Sequence, residues 1–294
     1  MAPLLINVAF VTLLERKILA GAQIRLGPNK VGFRGFLQPF ADVVKLFAAQ
    51  VSLLTYNLKL AYILRPLVSL LLSLIFLNNI PIIHGQREWK FNFLLLLILL
   101  SFNVYPLLLR GWSSNRGYGH LGALRSAAQT ISYEISLAFV ILRIFSLTFY
   151  LSFNQMRTNV SFSKILFLPI LVLWLVRAIA ELNRTPFDFS EGESELVSGF
   201  NIEYRATKFA LFFIAEYLII LMLRVITRIF FVQKRFSWGS VISLSLFFTS
   251  LVLWARASYP RFRYDKLINI AWKSLLPIRL RLAQLRLLLN LFFY

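Results

Sequence analysis

The sequence contains no cysteine and only two histidines among its 294 residues. Without cysteine the chain cannot form a disulfide, ligate an iron–sulfur cluster or build a thiolate zinc site. The two histidines, His84 and His120, are isolated from each other, which argues against ligation of haem or copper. Any electrons that this protein handles must therefore come from cofactors that are held elsewhere.

Acidic residues are also scarce. Twelve Asp and Glu stand against 32 Lys and Arg, which gives a net charge of +20, and only 15% of all residues are charged. Soluble domains carry about 25% charged residues, whereas this chain is 59% apolar with a mean hydropathy of +0.71. The composition predicts a membrane protein, in which the excess of bases anchors and orients loops and does not bind nucleic acid.

Eight stretches with few charges predict eight spanning helices, at about 2–14, 66–83, 91–109, 126–142, 162–176, 209–223, 236–255 and 267–294. The first stretch has neither the preceding positive charge nor the cleavage site of a signal peptide, so we expect it to be retained. Lys and Arg concentrate in the odd-numbered connections, which places these longer loops on the positive-inside face. We predict an all-α polytopic protein, with residues 1–294 forming one membrane domain.

The first odd-numbered connection, 15–50, contains the amphipathic segment 36–50. Its apolar residues recur at helical spacing, at Phe36, Phe40, Val43, Val44 and Phe47. Such a helix lies along the membrane surface. It is either an ordinary surface helix whose basic neighbours contact lipid headgroups, or one wall of a site for a ligand with a polar head and an apolar tail.

The connection 181–206 holds half of all the acidic residues, namely Glu181, Asp188, Glu191, Glu193, Glu195 and Glu203. Three interpretations are open at this point. The loop binds a divalent cation through its carboxylate oxygens, or it is a solvated acidic loop, or it accepts protons and feeds them into the membrane. Clustered carboxylates raise one another's pKa values, which favours the third interpretation.

Two further carboxylates, Glu134 and Glu216, lie well inside apolar stretches. An ionised carboxylate near the bilayer centre costs about 3 kcal/mol or more, so each must be neutral, paired or in contact with water. We expect the adjacent Tyr133 and Tyr217 to be their hydrogen-bond partners. Intramembrane carboxylates are typical of proton pathways, and the alternative is a protonated carboxyl that joins two helices.

Several strings in the sequence resemble the subunit 1 family of respiratory complex I, over nearly the whole chain. They are LERK at 14–17, QIRLGPNKVG at 23–32, QPFADVVKLF at 38–47, GWSSN at 111–115, ALRSAAQTISYE at 123–134, ELNRTPFDFSEGESELVSGFNIEY at 181–204, ALFFIAEY at 210–217 and YPRFRYDKL at 259–267. The resemblance implies an eight-span subunit of the proton-pumping NADH:ubiquinone oxidoreductase in the mitochondrial inner membrane. Its implied partners are the other complex I subunits, membrane lipids and ubiquinone, which is the substrate.

The resemblance also implies roles for individual residues. Positions that match the ubiquinone chamber are Arg25, Arg34, Asp42, Lys45, Phe213, Arg261 and Arg263. Positions that match the proton path are Glu134, Glu181, Asp188, Glu191, Glu193, Glu195, Glu203 and Glu216, with Arg184 supporting them. No catalytic residue and no bound metal, flavin or iron–sulfur cluster is implied for this chain. A stand-alone cation/proton transporter and a purely structural scaffold are the alternatives. A transporter of this kind is expected to show internal repeats, and none is visible.

Arginines stand where lipid-embedded helices disfavour them, at Arg143, Arg177, Arg224, Arg279, Arg281 and Arg286. Each costs about 2.5–3.5 kcal/mol at a helix centre, and snorkelling relieves only those near the ends. Many animal mitochondria read as Ser two codons that the standard code reads as Arg. We therefore expect some of these positions to be serine in the protein, which lowers its true net charge below +20.

Overall fold

The computed structural model describes residues 2–50, 59–78, 91–115, 117–148, 164–188, 204–231, 238–281 and 284. Within these ranges the regular structure is entirely helical. The helices are α1 (Ala2–Ala22), α2 (Gln38–Ala48), α3 (Lys59–Asn78), α4 (Asn92–Phe102), α5 (Val104–Ser114), α6 (Gly117–Thr148), α7 (Lys164–Glu181), α8 (Ala206–Phe231), α9 (Trp238–Ser258) and α10 (Tyr264–Asn269). A π-helical segment, Ile270–Leu275, continues α10 toward residue 281.

Each of the eight predicted spans overlaps a described helix, and α4 and α5 together form the third span; of the eighth span, 267–294, the structure describes 267–281 and 284. Among the described residues, three helical stretches are by themselves long and apolar enough to cross a bilayer, namely Asn92–Ser114, Gly117–Phe145 and Ala206–Phe231. These observations confirm the prediction of an all-α polytopic membrane protein. The first span was predicted too short, because α1 continues to Ala22 past the charged residues Glu15 and Arg16.

The core is centred on α8, which packs against α1, α2, α3, α7 and α9. On this helix, Phe230 meets Trp174 of α7 edge to face, with ring centroids 4.9 Å apart. Phe93 of α4 stacks on the same Phe230 ring at 5.5 Å. These large side chains are fully or almost fully buried. Dense aromatic packing therefore joins α8 to both α4 and α7.

Helices α5 and α6 approach each other closely because small residues face one another at their contact. Asn115 ends α5 in the left-handed conformation, with φ of 50°. A Cβ added at Gly111 would lie 2.2 Å from the Ala123 Cβ and 2.6 Å from the Gly119 carbonyl oxygen. Only glycine is compatible with this separation at position 111.

Helix α2 is held beside α1 by aromatic and polar contacts. The Phe10 ring of α1 lies 4.7 Å from the Phe36 ring and 6.1 Å from the Phe40 ring, centroid to centroid. Exposed apolar side chains of α2 include Phe40 and Val44. This exposure agrees with the predicted amphipathic helix and leaves an apolar face for contact with lipid or another subunit.

The segment 182–188 after α7 is fixed by hydrogen bonds from both sides. The Gln129 amide of α6 donates to the Phe187 carbonyl at 2.8 Å and to Asn183 Oδ1 at 3.2 Å. The Phe262 N–H donates to the Pro186 carbonyl at 3.0 Å. This anchoring determines where Arg184 and Asp188 lie.

Candidate functional site

A cavity of about 800 Å³ lies beneath α2, between α1, α3, the junction of α4 and α5, and α8. Its apolar wall includes Val8, Leu46, Phe47 and Ile214. Seven residues that the sequence assigned to the chamber or to the proton path line this cavity, namely Asp42, Lys45, Glu181, Arg184, Asp188, Phe213 and Glu216. The fold thus brings members of both predicted groups to one site.

Glu15 is the centre of a buried ion-pair cluster on the cavity wall. It is only 4% exposed, and both of its carboxylate oxygens accept from Arg184 Nη1 at 2.5 Å. The Arg256 guanidinium and the Tyr217 hydroxyl also donate to this carboxylate, the latter at 2.6 Å. Three helices and the 182–188 segment therefore meet at a single carboxylate.

Arg184 lies in the connection after α7, and its guanidinium also stacks over the Tyr217 ring, 4.5 Å from the centroid. Burial lowers the pKa of this guanidinium, but the nearby Tyr217 and Glu15 raise it by more, so the pKa stands above its usual value. Arg184 is therefore a permanent cation that holds Glu15 in place.

Asp42 links the interfacial helix to the first span. Its carboxylate accepts from Arg16 Nη1 at 2.5 Å and from the Gln38 amide at 2.9 Å. The Lys17 ammonium donates to the Arg34 carbonyl oxygen at 2.7 Å. The Arg16–Asp42 ion pair is partly exposed, so its contribution to stability is modest. Its main effect is to position α2 over the cavity.

A second buried ion pair joins two residues one turn apart on α7. Arg177 Nη2 lies 2.7 Å from Glu181 Oε2, and both side chains are almost completely buried. The Arg177 guanidinium also lies over the Tyr133 ring, 5.5 Å from its centroid. Glu134 of α6 is half-buried and is electrostatically coupled to Glu181 and Arg177. The two predicted carboxylates, Glu134 and Glu181, are therefore neighbours.

Glu216 lies on the cavity wall and pairs with Arg110 of α5, with Arg110 Nη1 3.2 Å from Glu216 Oε1. The Arg110 guanidinium also lies over the Phe212 ring, 3.6 Å from its centroid. The expected pairs of each carboxylate with its adjacent tyrosine do not form. Tyr217 donates to Glu15, and Tyr133 donates to the Leu267 carbonyl at 3.1 Å.

Four predicted chamber arginines do not line the cavity. Arg25 and Arg34 are exposed in the connection between α1 and α2. Arg261 lies 3.7 Å from Asp188, and Arg263 pairs with Asp265 at 3.2 Å. Glu191, Glu193, Glu195 and Glu203 lie outside the residues that the structure describes.

Sequence reasoning assigned no role to several residues of the site, namely Glu15, Arg16, Arg110, Arg177 and Arg256. Glu15 belongs to the LERK string at 14–17. Its position next to an apolar span could have marked it as a candidate site residue. Its partners could not be identified, because Arg184 and Arg256 are separated from it by 169 and 241 positions in the chain.

The helices and the cavity define a polytopic membrane protein with a charged, buried site beneath an interfacial helix. The profile of the NADH dehydrogenase family matches residues 1–286, and the chain belongs to this family. This confirms the identification made from the sequence strings.

Similar proteins named NADH-ubiquinone oxidoreductase chain 1 occur in distant animals. The Anopheles gambiae protein is 46% identical over 280 residues, which cover 94% of this chain and 88% of the relative. The Branchiostoma lanceolatum protein is 43% identical over 296 residues, which cover 99% of this chain and 94% of the relative. The Balaenoptera physalus protein is 42% identical over 290 residues, which cover 96% of this chain and 91% of the relative.

Proposed function

We propose that this chain is a subunit of the proton-pumping NADH:ubiquinone oxidoreductase of the mitochondrial inner membrane. In this role it assembles with the other complex I subunits, contributes part of the ubiquinone chamber and carries part of the path that couples quinone reduction to proton movement. The names of its relatives support membership of the complex. The cavity supports the contributions to the ubiquinone chamber and to the coupling path.

The observation that carries the proposal is that one cavity combines an apolar wall with a charged lining. Phe47 and Phe213 supply aromatic surface for an apolar tail, while Asp42 and Lys45 supply polar contacts on α2. Ligand sites usually consist of a mostly apolar pocket with a few convergent polar groups. A quinone with a polar ring and an apolar tail fits this combination.

The proposed proton path consists of carboxylates that border or adjoin the cavity. Glu15, Glu181 and Glu216 line it from three different helices, and Glu134 stands next to Glu181. Each of the three lining carboxylates has an arginine partner. Glu134 and Glu181 interact electrostatically, and interacting carboxylates titrate as a pair, so in this proposal a change of charge in the chamber alters the protonation of that pair.

Electron delivery is left to partner subunits in this proposal. Within the described ranges, no three His, Asp or Glu side chains are grouped in a way that could hold a metal ion. The chain's own contribution is to bind the quinone, to exclude water from it and to hold protons at the carboxylates.

The test is to obstruct the cavity without changing its charge. We expect Phe213→Trp, in the assembled complex, to lower the reduction of a short-tail ubiquinone by NADH while leaving NADH oxidation by a water-soluble artificial acceptor intact. Phe247→Trp is the matched control, because Phe247 is an exposed residue of α9 that does not line the cavity. Equal quinone reduction by the two variants would contradict the chamber proposal.

A further inference from the structure

Two lysines lie on the exposed side of α10 and of the π-helical segment that continues it. Lys266 and Lys273 are both exposed, and their separation in the chain corresponds to about 10 Å along the helix. Within the part of the chain that the structure describes, neither lysine forms an ion pair. Lys273 lies about 14 Å along the helix from Tyr264, where α10 begins. A cation this far into a span needs an anionic partner or must reach toward the lipid headgroups.

The π-helical segment Ile270–Leu275 keeps the buried and exposed sides of this helix in line. Residues four apart on a regular α-helix are offset by about 40°, so a buried row with this spacing drifts around the helix. Here the Leu276 N–H donates to a carbonyl five residues back, and the wider turn takes up the extra residue. Three residues spaced by four therefore all stay buried, namely Leu267, Ala271 and Leu275. The two lysines remain on the opposite, exposed side.

The exposed side of this helix changes from polar to apolar in the order of the parts of a phospholipid. Lys266 and Asn269 come first and are exposed. Trp272, which is 47% exposed, comes next, and tryptophan is typical of the boundary between headgroups and acyl chains. Ile278 and Leu280 follow as exposed apolar residues. An acidic partner helix would not require this order, so the pattern favours a lipid over a protein as the ligand.

The charge of this region selects an anionic ligand. Residues 259–275 contain four bases and one acid, Asp265, whose carboxylate lies 3.2 Å from the Arg263 guanidinium. Because this acid already has a partner, both lysines are available to an external anion. We propose that Lys266 and Lys273 bind the headgroup of an anionic phospholipid, with Asn269 as a neutral hydrogen-bond donor. This inference needs the membrane fold alone and does not depend on the quinone chamber.

The experiment compares two photoactivatable lipids that differ only in their headgroups. Phosphatidylglycerol and phosphatidylcholine analogues with the same diazirine-bearing acyl chains are offered in turn to the purified complex in dioleoylphosphatidylcholine nanodiscs. After irradiation, mass spectrometry of peptic peptides measures the labelled fraction of residues 267–281. We expect the anionic lipid to label the native complex more strongly. Lys266→Gln and Lys273→Gln are each expected to lower this preference about fivefold, which is the contribution of one lysine near an anionic surface.

Lys30→Gln is the matched control, because Lys30 is an exposed lysine in the connection between α1 and α2. This variant is expected to leave the labelling preference at 267–281 unchanged. Lys273→Arg keeps the charge and is expected to retain most of the preference. Should a glutamine variant not assemble, the native complex still provides a test, since its preference must fall at an ionic strength of about 1 M, where charges are screened within about 3 Å.

Three results would overturn the lipid site. If both lipids label residues 267–281 of the native complex equally, this face does not select an anionic headgroup. If both glutamine variants keep the native preference, other residues hold the lipid. If neither lipid labels this peptide while other peptides are labelled, a partner subunit covers the face. None of these results bears on the quinone chamber, which Phe213→Trp tests separately.

Discussion

The ion-pair cluster around Glu15 gives the strongest prediction for the stability of the bundle. The substitution Glu15→Gln conserves shape but removes the negative charge that Arg184 and Arg256 share. Glutamine can still accept one hydrogen bond from the Tyr217 hydroxyl. Both guanidinium groups, however, then lose their only carboxylate among the described ion pairs of this cluster.

The magnitude follows from the burial of the site. Removing one partner of a buried ion pair costs about 3–5 kcal/mol, because the remaining charge is left uncompensated in a low-dielectric environment. Glu15 is 4% exposed and balances two cations, so we expect a loss near the upper end of this range. Tyr217→Phe removes one hydrogen bond to a charged group and should cost about 2 kcal/mol. Folding free energies are about 5–15 kcal/mol, so the loss from Glu15→Gln is a large fraction of the total.

The assay is the thermal unfolding of the purified complex together with the amount that assembles. Asp265→Asn is the control, since Asp265 and its partner Arg263 are 66% and 78% exposed, and exposed pairs contribute about 0–1 kcal/mol. The expected order of destabilisation is Glu15→Gln, then Tyr217→Phe, then Asp265→Asn. If Glu15→Gln were no more destabilising than Asp265→Asn, the cluster would not stabilise the fold.

Three further predictions concern coupling, packing and residue identity. Glu216→Gln and Glu134→Gln are each expected to lower the proton uptake that accompanies quinone reduction, measured with a pH-sensitive dye in vesicles; unchanged uptake in both variants would make these carboxylates structural. Gly111→Ala should destabilise the α5–α6 contact by about 1–3 kcal/mol through overpacking, whereas Gly117→Ala, which has open space around it, should have little effect in the same unfolding assay. Peptide mass spectrometry over residues 274–290 is expected to find serine in place of Arg279.

The spans and the interfacial helix could be predicted from the sequence, because hydropathy and helical spacing act locally. The positions of Tyr133 and Tyr217 could not. Adjacent residues on an α-helix point about 100° apart, so Tyr217 reaches Glu15 of α1 while Glu216 faces Arg110 of α5. The two side chains that we expected to pair therefore point in different directions, because they are adjacent in the helix.

The sequence also could not predict that the chamber residues and the proton-path residues meet at one cavity. Asp42 and Glu181 are on different helices, 139 positions apart, and only the tertiary packing brings both to the lining of one cavity. The family resemblance supplied candidates for each group. The association of chamber and carboxylate residues in a single cavity depends on how α1, α2 and α8 pack, which hydropathy does not encode.

The arginines inside the spans divide into two kinds when their surroundings are compared. Arg177 and Arg110 reach the carboxylates Glu181 and Glu216, as a genuine intramembrane arginine must. Arg279 is 3% exposed and donates to the Leu173 carbonyl at 3.3 Å, while its Nε and Nη1 groups have no hydrogen-bond partner among the described residues. No described carboxylate pairs with Arg279, and a buried guanidinium that lacks a counter-ion is strongly destabilising, whereas a serine hydroxyl at this position can donate to a backbone carbonyl of its own helix. We therefore expect serine at position 279, and a tryptic cleavage after residue 279 would refute this expectation.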